Sequence, residues 1–418
     1  MRKRMRWAVP VMAASLLVGC GQSAISLTDG IKPVQVNTER EDSGENEKSA
    51  EAKTAVLDFS VRLLQESEKK GENTLVSPVS VLCALGMTGV GSEGNTRAQM
   101  EDAFGTDVDA LNAFMGDYVK SLPNGKNYKM HVADSIWLNQ SKNLQIEDAY
   151  LQTVVSHYDA EIMELAFDGK AEKEINGWVK DNTDEMIPKI IDQINDNAVA
   201  YLVNAVAFDA KWADPYESGQ VFSGTFTMEN GETQEVEMMS SGEYHYIQGD
   251  NETGFAKYYE NDGEKDTYAF VALLPEEGVS MSEYVASLSG EEVQKLLENE
   301  EDCAVVTQLP KFEVDYDASL NQVLLNMGMT DAFDSQLADF TGMGTCTDGN
   351  IYIGEVLHKT YMKVDAEGTR AGAATAVVME CGSTMPEQEV LLNRPFVYMI
   401  VDCENQIPIF LGIMNDCE

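Results

Sequence analysis

The chain has 418 residues, of which 44% are hydrophobic and 24% are charged, a composition typical of a soluble globular protein. Asp and Glu total 71 against 29 Lys and Arg, so the formal net charge is −42, and a field of that sign repels phosphate backbones. We therefore expect no nucleic-acid partner. The seven cysteines are too few for a disulfide scaffold and too scattered for a zinc module, so we also expect no metal.

The first 19 residues have the pattern of an export signal. Four basic residues lie within Met1–Arg6, and Trp7–Val18 is an apolar run too short to cross a bilayer comfortably. The run ends in Leu-Val-Gly-Cys, which resembles the cleavage site of bacterial lipoproteins and implies cleavage after Gly19 and lipidation of Cys20. The alternative is an ordinary secretory signal with an incidental cysteine. We predict an exported protein that is either anchored at the cell membrane, facing outside the cytoplasm, or extracellular.

Residues 20–50 are predicted to form an acidic, disordered tether. The charged run at 39–47, Glu-Arg-Glu-Asp-Ser-Gly-Glu-Asn-Glu, has no apolar period and cannot bury enough surface to become ordered. Apolar residues at helical spacing begin near Glu51. No linker and no internal repeat follows, so residues 51–418 are predicted to be one domain.

The order of the predicted elements indicates an α+β fold. Helical patterns dominate 51–200, and an apolar strand candidate follows at Ala200–Phe208. Alternating strand patterns dominate 220–315 and 351–413. Helices that precede strands favour α+β over a doubly wound parallel sheet.

The sequence lacks the motifs of common enzyme classes. None of its four histidines lies in an H-E-x-x-H arrangement, and there is no nucleophile elbow and no P-loop. A G-x-G-x-x-G match at Gly89–Gly94 follows a helical run instead of a strand, so we interpret these glycines as the end of a helix. We predict that the protein is not an enzyme and needs no cofactor.

A run of small side chains lies near the C-terminus, at residues 367–378. As a strand, it would place Thr369, Ala371, Ala373 and Thr375 on one face and Arg370 on the other. A strand with so few bulky groups is suited to insertion into a crowded sheet. Residues 379–386 are small and turn-rich and are interpreted as an exposed loop, although an ordinary flexible connection is the alternative.

A series of motifs along 51–418 is similar to those of the serpin family. In chain order they are Asn73–Met87 with Gly89, Gly91, Thr96 and Gln99; Ile175–Val179 with Thr183 and Ile187; Leu202–Phe208 through Trp212; Leu309–Phe312; Gly328-Met329; Ala338–Met343; His358-Lys359; Asn393–Phe396; and Phe410–Gly412. Any one motif is modest, but their shared order and spacing make the resemblance specific.

The resemblance implies a single α+β domain with three β-sheets, about nine helices and an exposed reactive loop at about 366–386. It also implies an irreversible suicide-substrate inhibitor of serine endopeptidases. The target protease attacks the loop and forms a covalent acyl-enzyme, and the cut loop then inserts as a strand into the central sheet. The native form is then metastable and kinetically held, and the expected state is a monomer.

The resemblance assigns roles to particular residues. Ser77, Ser80, Asn204 and His358 correspond to the shutter, where the central strands part; the alternative is four unrelated buried polar residues. Trp212 corresponds to the breach at the top of the sheet. The hinge segment comprises Gly368, Thr369, Arg370, Ala371, Gly372, Ala373, Ala374 and Thr375. Two departures from the family pattern are Ala366 in place of an acidic residue and Arg370 in place of Glu.

The resemblance also implies a scissile bond fourteen residues after the hinge glycine, as in the loops of the family, which gives Gly382–Ser383. Cys381 or Ser383 could occupy the primary specificity position instead. No Lys or Arg lies between Ala371 and Leu392, and small residues fit shallow pockets such as those of elastase-like or subtilisin-like proteases. A non-inhibitory serpin and a lipid-anchored solute-binding protein remain as alternatives.

Overall fold

The computed structural model describes residues 24–34, 44–122, 125–158, 160–261, 267–347, 349–369 and 388–417, without the side chains of 44–49. Within these ranges no helix is long and apolar enough to cross a membrane. The same residues contain no cluster of His, Cys, Asp and Glu side chains that could hold a metal ion.

The described residues form nine α-helices, six of which begin before residue 200, as the sequence predicts. Their bounds are α1 (Gly44–Ser67), α2 (Pro78–Val90), α3 (Gly94–Phe104), α4 (Val108–Ser121), α5 (Asp148–Tyr158), α6 (Ala171–Asn182), α7 (Met281–Ser287), α8 (Gly290–Glu298) and α9 (Asn321–Asn326).

Eighteen strands occur in the same part of the chain. They are β1 (Ile25–Ser26), β2 (Thr74–Val76), β3 (Tyr128–Asn139), β4 (Leu144–Ile146), β5 (Glu161–Leu165), β6 (Ala200–Lys211), β7 (Val221–Thr227), β8 (Thr233–Gln248), β9 (Glu252–Tyr258), β10 (Tyr268–Pro275), β11 (Glu300–Pro310), β12 (Phe312–Ser319), β13 (Gly344–Cys346), β14 (Glu355–Val364), β15 (Gly368–Thr369), β16 (Gln388–Leu391), β17 (Phe396–Asp402) and β18 (Ile407–Met414).

Within the described ranges these strands build three sheets. The central sheet has the order β1-β5-β3-β6-β15-β14-β12. A nine-stranded sheet runs β16-β11-β8-β9-β10-β17-β18-β2, with β7 paired to β8, and β13 pairs with β4. Three sheets with nine helices confirm the predicted α+β fold class.

The buried helix α2 packs between the central sheet and β18. Nearly all of its residues are buried, from Pro78 at its first turn to Gly89, which is the pattern of a helix that is covered on every side. The helix ends at Gly91, where a Cβ atom would collide with Met343. The interpretation of this glycine-rich stretch as a helix end is therefore confirmed.

One strand is missed by the sequence patterns, and one prediction is wrong in part. Helices dominate 51–200 as predicted, but the region also contains the twelve-residue strand β3, whose polar residues obscure the strand pattern. The tether of 20–50 is in part ordered: β1 pairs with β5, and α1 begins at Gly44. The Leu27 amide donates to the Ile162 carbonyl at 2.8 Å, because an open sheet edge can bind a short segment through its main chain without any apolar period.

Candidate functional site

The central sheet is forked at one end. The strands β6 and β14 pair in parallel from Tyr201 opposite Glu355 to Ala207 opposite Tyr361. Beyond that point β15 lies between them, antiparallel to both, with Thr369 opposite Ala210 and Val364. The first two hinge residues are thus already strand residues inside the sheet.

The side chains at the fork enclose Thr369 completely. Its hydroxyl lies 2.6 Å from the Tyr259 hydroxyl, and both residues are buried. A Cβ atom at Gly368 would collide with the Ala210 carbonyl and with Lys211, so only glycine fits there. The start of the hinge segment is therefore built into the sheet, and glycine is required by the close approach of β6.

Trp212 holds the turn that leads into β15. Its indole N–H donates to the Asp365 carbonyl at 2.9 Å, and its amide donates to the Glu367 carbonyl at 3.0 Å. The Tyr216 amide donates to the Ala366 carbonyl at 2.8 Å. The Trp212 ring stacks on Tyr259 with centroids 4.5 Å apart. The residue assigned to the breach thus contacts both the turn and the ring that binds Thr369.

A buried polar network crosses the sheet where β6 and β14 are closed. The Ser77 amide donates to Nε2 of His358 at 3.1 Å, and Nδ1 of His358 donates to Oδ1 of Asn204. Burial lowers the pKa of His358 to about 3, so the imidazole is neutral and one ring nitrogen donates while the other accepts. Asn204 continues the network by donating to the Ser80 hydroxyl.

Asp134 completes this network and was not predicted from the sequence. The Ser80 hydroxyl donates to Oδ1 of Asp134 at 2.8 Å, and the Asn204 amide donates to the same oxygen at 2.7 Å. Asp134 also lines a cavity of about 100 Å³ together with Cys83 and Tyr158. Burial raises the pKa of Asp134 to about 7, although the hydrogen bonds partly offset the effect.

The structure brings together all four residues assigned to the shutter, but one contributes differently from what was expected. Ser77 contacts His358 through its main-chain amide. Its hydroxyl is buried and has no hydrogen-bond partner among the described residues. The side chains that can exchange partners there are those of Ser80, Asn204, His358 and Asp134.

Other residues assigned from the sequence lie outside the described ranges. They are Cys20 at the lipoprotein-type site, the hinge residues Arg370, Ala371, Gly372, Ala373, Ala374 and Thr375, and the scissile pair Gly382 and Ser383.

The central sheet is thus forked around Gly368 and Thr369, and a buried polar network lies where β6 and β14 pair directly. The chain belongs to the serpin (serine protease inhibitor) family, whose family model matches residues 54–417.

Known relatives extend over most of the chain. An uncharacterized serpin-like protein of Thermococcus kodakarensis is 30% identical over 86% of this chain and 84% of its own length. Leukocyte elastase inhibitor A of Rattus norvegicus is 28% identical over 84% of this chain and 94% of its own length. The crystal structure of the thermophilic serpin tengpin in its native state is 39% identical, covers 94% of this chain and all of its own, and has a TM-score of 0.87.

Proposed function

We propose that this protein is an irreversible suicide-substrate inhibitor of serine endopeptidases. The observation that carries the proposal is the position of Gly368 and Thr369 between β6 and β14. Insertion needs no new opening at the top of the sheet, because the loop already occupies it. The rest of the loop can follow by extending a strand that exists.

The target protease supplies the chemistry, and this chain supplies a substrate and a trap. The serine oxygen of the protease attacks the Gly382 carbonyl, the bond to Ser383 breaks, and the new amine of Ser383 takes a proton. The acyl group stays on the protease while residues 370–382 insert and, together with Thr369, form a strand of about 45 Å. In this role the chain is no enzyme, needs no cofactor and acts as a monomer.

The register of β15 supports a particular order of events during the proposed insertion. If the pairing of Thr369 with Ala210 and Val364 is continued, Gly372 reaches the first closed pair, Ala207 and Tyr361. Three residues further on, Thr375 reaches Asn204 opposite His358. The first residue to separate a closed pair is therefore Gly372, which has no side chain. The Thr375 hydroxyl arrives later between Asn204 and His358, whose hydrogen bond must break.

The small side chains near the proposed scissile bond favour a target protease with a shallow specificity pocket. Gly382 and its neighbours Cys381 and Ser383 are small, and the relative from Rattus norvegicus is an elastase inhibitor by name. We predict covalent complexes with elastase-like or subtilisin-like proteases and none with trypsin. Gly382→Arg should create trypsin recognition, because the guanidinium can pair with the carboxylate in the trypsin pocket.

The test is incubation with pancreatic elastase or subtilisin, followed by denaturing electrophoresis. For the wild type, we expect a band at the mass of the protease plus the chain up to Gly382, because the fragment 383–418 is released. With trypsin, the corresponding band is expected only for Gly382→Arg. Complete loop cleavage by each enzyme without any covalent band would contradict the proposal. Trypsin cleavage of the variant at another bond would overturn the assignment of Gly382.

The N-terminus supports export as a lipoprotein. We propose that residues 1–19 are removed and that Cys20 carries the lipid. Because Ala24 already begins the segment that binds the sheet edge, only three residues separate it from Cys20. The lipid would then hold the β5 edge of the central sheet close to the bilayer, instead of letting the domain move on a long tether.

A further inference from the structure

A buried ion pair lies beneath the fork of the central sheet. Lys257 on β9 is 2% exposed, and its ammonium lies 2.6 Å from a carboxylate oxygen of Glu243 on β8. The side chain of Glu243 is itself only 13% exposed. Removing a lysine and a carboxylate from water costs free energy. A buried pair that contacts a segment involved in loop insertion therefore indicates a role in that process.

The ammonium contacts both residues that hold the turn into β15. It lies 4.5 Å from the centroid of the Tyr216 ring and 5.7 Å from that of Trp212. A cation within about 6 Å of an aromatic face is attracted to it, most strongly when water is excluded. One buried charge therefore holds the rings of Tyr216 and Trp212. The main-chain amides of the same two residues donate to the carbonyls of residues 366 and 367.

The contacts continue to the hinge itself. Trp212 stacks on Tyr259, and the Tyr259 hydroxyl contacts the Thr369 hydroxyl. A column of direct side-chain contacts therefore runs from Glu243 through Lys257, Trp212 and Tyr259 to Thr369. Nothing in the column except Thr369 belongs to the loop.

We propose that Lys257 is a positioning residue for loop insertion. Paired with Glu243, it holds Trp212 and Tyr216 so that Gly368 and Thr369 stay between β6 and β14. The strand is then ready to extend when the loop is cut. Without the charge, the turn at 365–367 detaches more often, the strand must re-form before it can extend, and the acyl-enzyme has more time to hydrolyse. This inference rests on the proposed inhibitory function.

The first measurement needs no protease. Hydrogen–deuterium exchange of the full chain reports the amides of Trp212, Tyr216 and Asp365, each of which donates to a carbonyl within residues 366–368. Lys257→Met keeps the length of the side chain but removes the charge, and should speed exchange at these amides by tenfold or more. Lys257→Arg retains a cation for Glu243 and for the rings, and should restore slow exchange.

The control is a core substitution far from the fork. Val293 on α8 is buried, and α8 packs on α1. Val293→Ala should lower the thermal midpoint without changing exchange at the three amides. Wild-type exchange rates in Lys257→Met, or equally faster exchange in Val293→Ala, would overturn the positioning role.

The second measurement is the stoichiometry of inhibition against one elastase-like protease. Lys257→Met should require at least twice as many inhibitor molecules per protease inactivated, with an unchanged rate of initial complex formation, because the scissile bond is untouched. Faster exchange with an unchanged stoichiometry would overturn the link to insertion. If the wild type itself gives no covalent complex, the proposed function fails, and the exchange data alone decide whether Lys257 positions the hinge.

Discussion

At the scale of single residues, the polar network between β6 and β14 contains two groups whose pKa values are strongly shifted by burial. His358 is neutral because burial lowers its pKa to about 3, and Asp134 holds a proton up to about pH 7. Both groups are thus in their uncharged forms at pH 5 to 6. A network of neutral groups can exchange hydrogen bonds as strands separate without exposing a bare charge to the core.

The raised pKa of Asp134 predicts a stability that falls with rising pH. The folded chain retains a proton between about pH 4 and pH 7 that the unfolded chain has lost, so the free energy of unfolding decreases across that window. Asp134→Asn keeps an oxygen that accepts from Ser80 and Asn204 but cannot ionise. We expect it to raise the free energy of unfolding at pH 8 by on the order of 3 kcal/mol and to change it little at pH 4.

Thermal midpoints of the two proteins at pH 4, 6 and 8 check this prediction. His358 titrates in the opposite sense at lower pH, but it is present in both chains, so their difference isolates Asp134. A difference that stays constant across the three pH values would show that the Asp134 carboxyl does not titrate in this range.

Thr369→Arg tests the buried position of the hinge. Thr369 is fully buried between β6 and β14, so an arginine there would either bury an unpaired charge or leave the sheet. We expect the variant to be cleaved as a substrate and to release active protease, since slow insertion favours hydrolysis of the acyl-enzyme. Arg370→Glu, predicted to lie on the opposite face of the strand, is the matched control and should inhibit normally. A stoichiometry of inhibition for Thr369→Arg equal to that of the wild type would count against insertion at this position.

At the scale of elements, the sequence predicts best where burial is uniform. The strand β6 follows from an apolar run, Ala200–Phe208, that is interrupted only by Asn204, and the end of α2 follows from its glycines. The strand β3 does not, because Asp134 and Ser135 interrupt its apolar pattern. Asp134 belongs to a network in which its own partner Asn204 is 70 positions away in the chain, and no local pattern reports such a contact.

The ion pair beneath the fork shows the same limit. Lys257 and Glu243 are on neighbouring strands, and in the sequence they look like two ordinary charged residues. The docking of residues 24–34 escaped prediction for another reason, since it depends on main-chain hydrogen bonds to an edge strand that only the fold creates.

The docked segment gives an element-scale prediction. A variant that begins at residue 35 lacks β1, so the edge of β5 is left unpaired. The control is a variant that begins at residue 24, which retains β1 and its pairing with β5. In the shorter variant, the Ile162 carbonyl and the Ser156 hydroxyl no longer accept from the Leu27 and Val34 amides. We expect the shorter chain to unfold about 2–6 °C lower. Equal midpoints in a thermal scan would mean that the segment contributes nothing to stability.

At the scale of the whole molecule, the account requires that the native fold is not the lowest in free energy. The strands β6 and β14 share one parallel ladder over residues 201–207 and 355–361. An inserted strand would replace it with two antiparallel ladders and would bury one face of the hinge segment. Antiparallel pairing is also slightly more stable per residue. The proposed mechanism requires that the uncut chain does not make this exchange and that a kinetic barrier preserves the native form.

The most direct test of this claim is the thermal midpoint before and after the loop is cut once between Cys381 and Met385. No covalent complex with the protease is needed, because a catalytic amount of a metalloprotease that cuts the loop is sufficient: it forms no acyl-enzyme and is not trapped. Insertion of residues 370–382 predicts that the cut protein unfolds tens of degrees higher than the intact one, which exceeds the effect of any single substitution. A cut protein that unfolds at the same temperature or lower would contradict the account, because its loop would then gain nothing from the sheet.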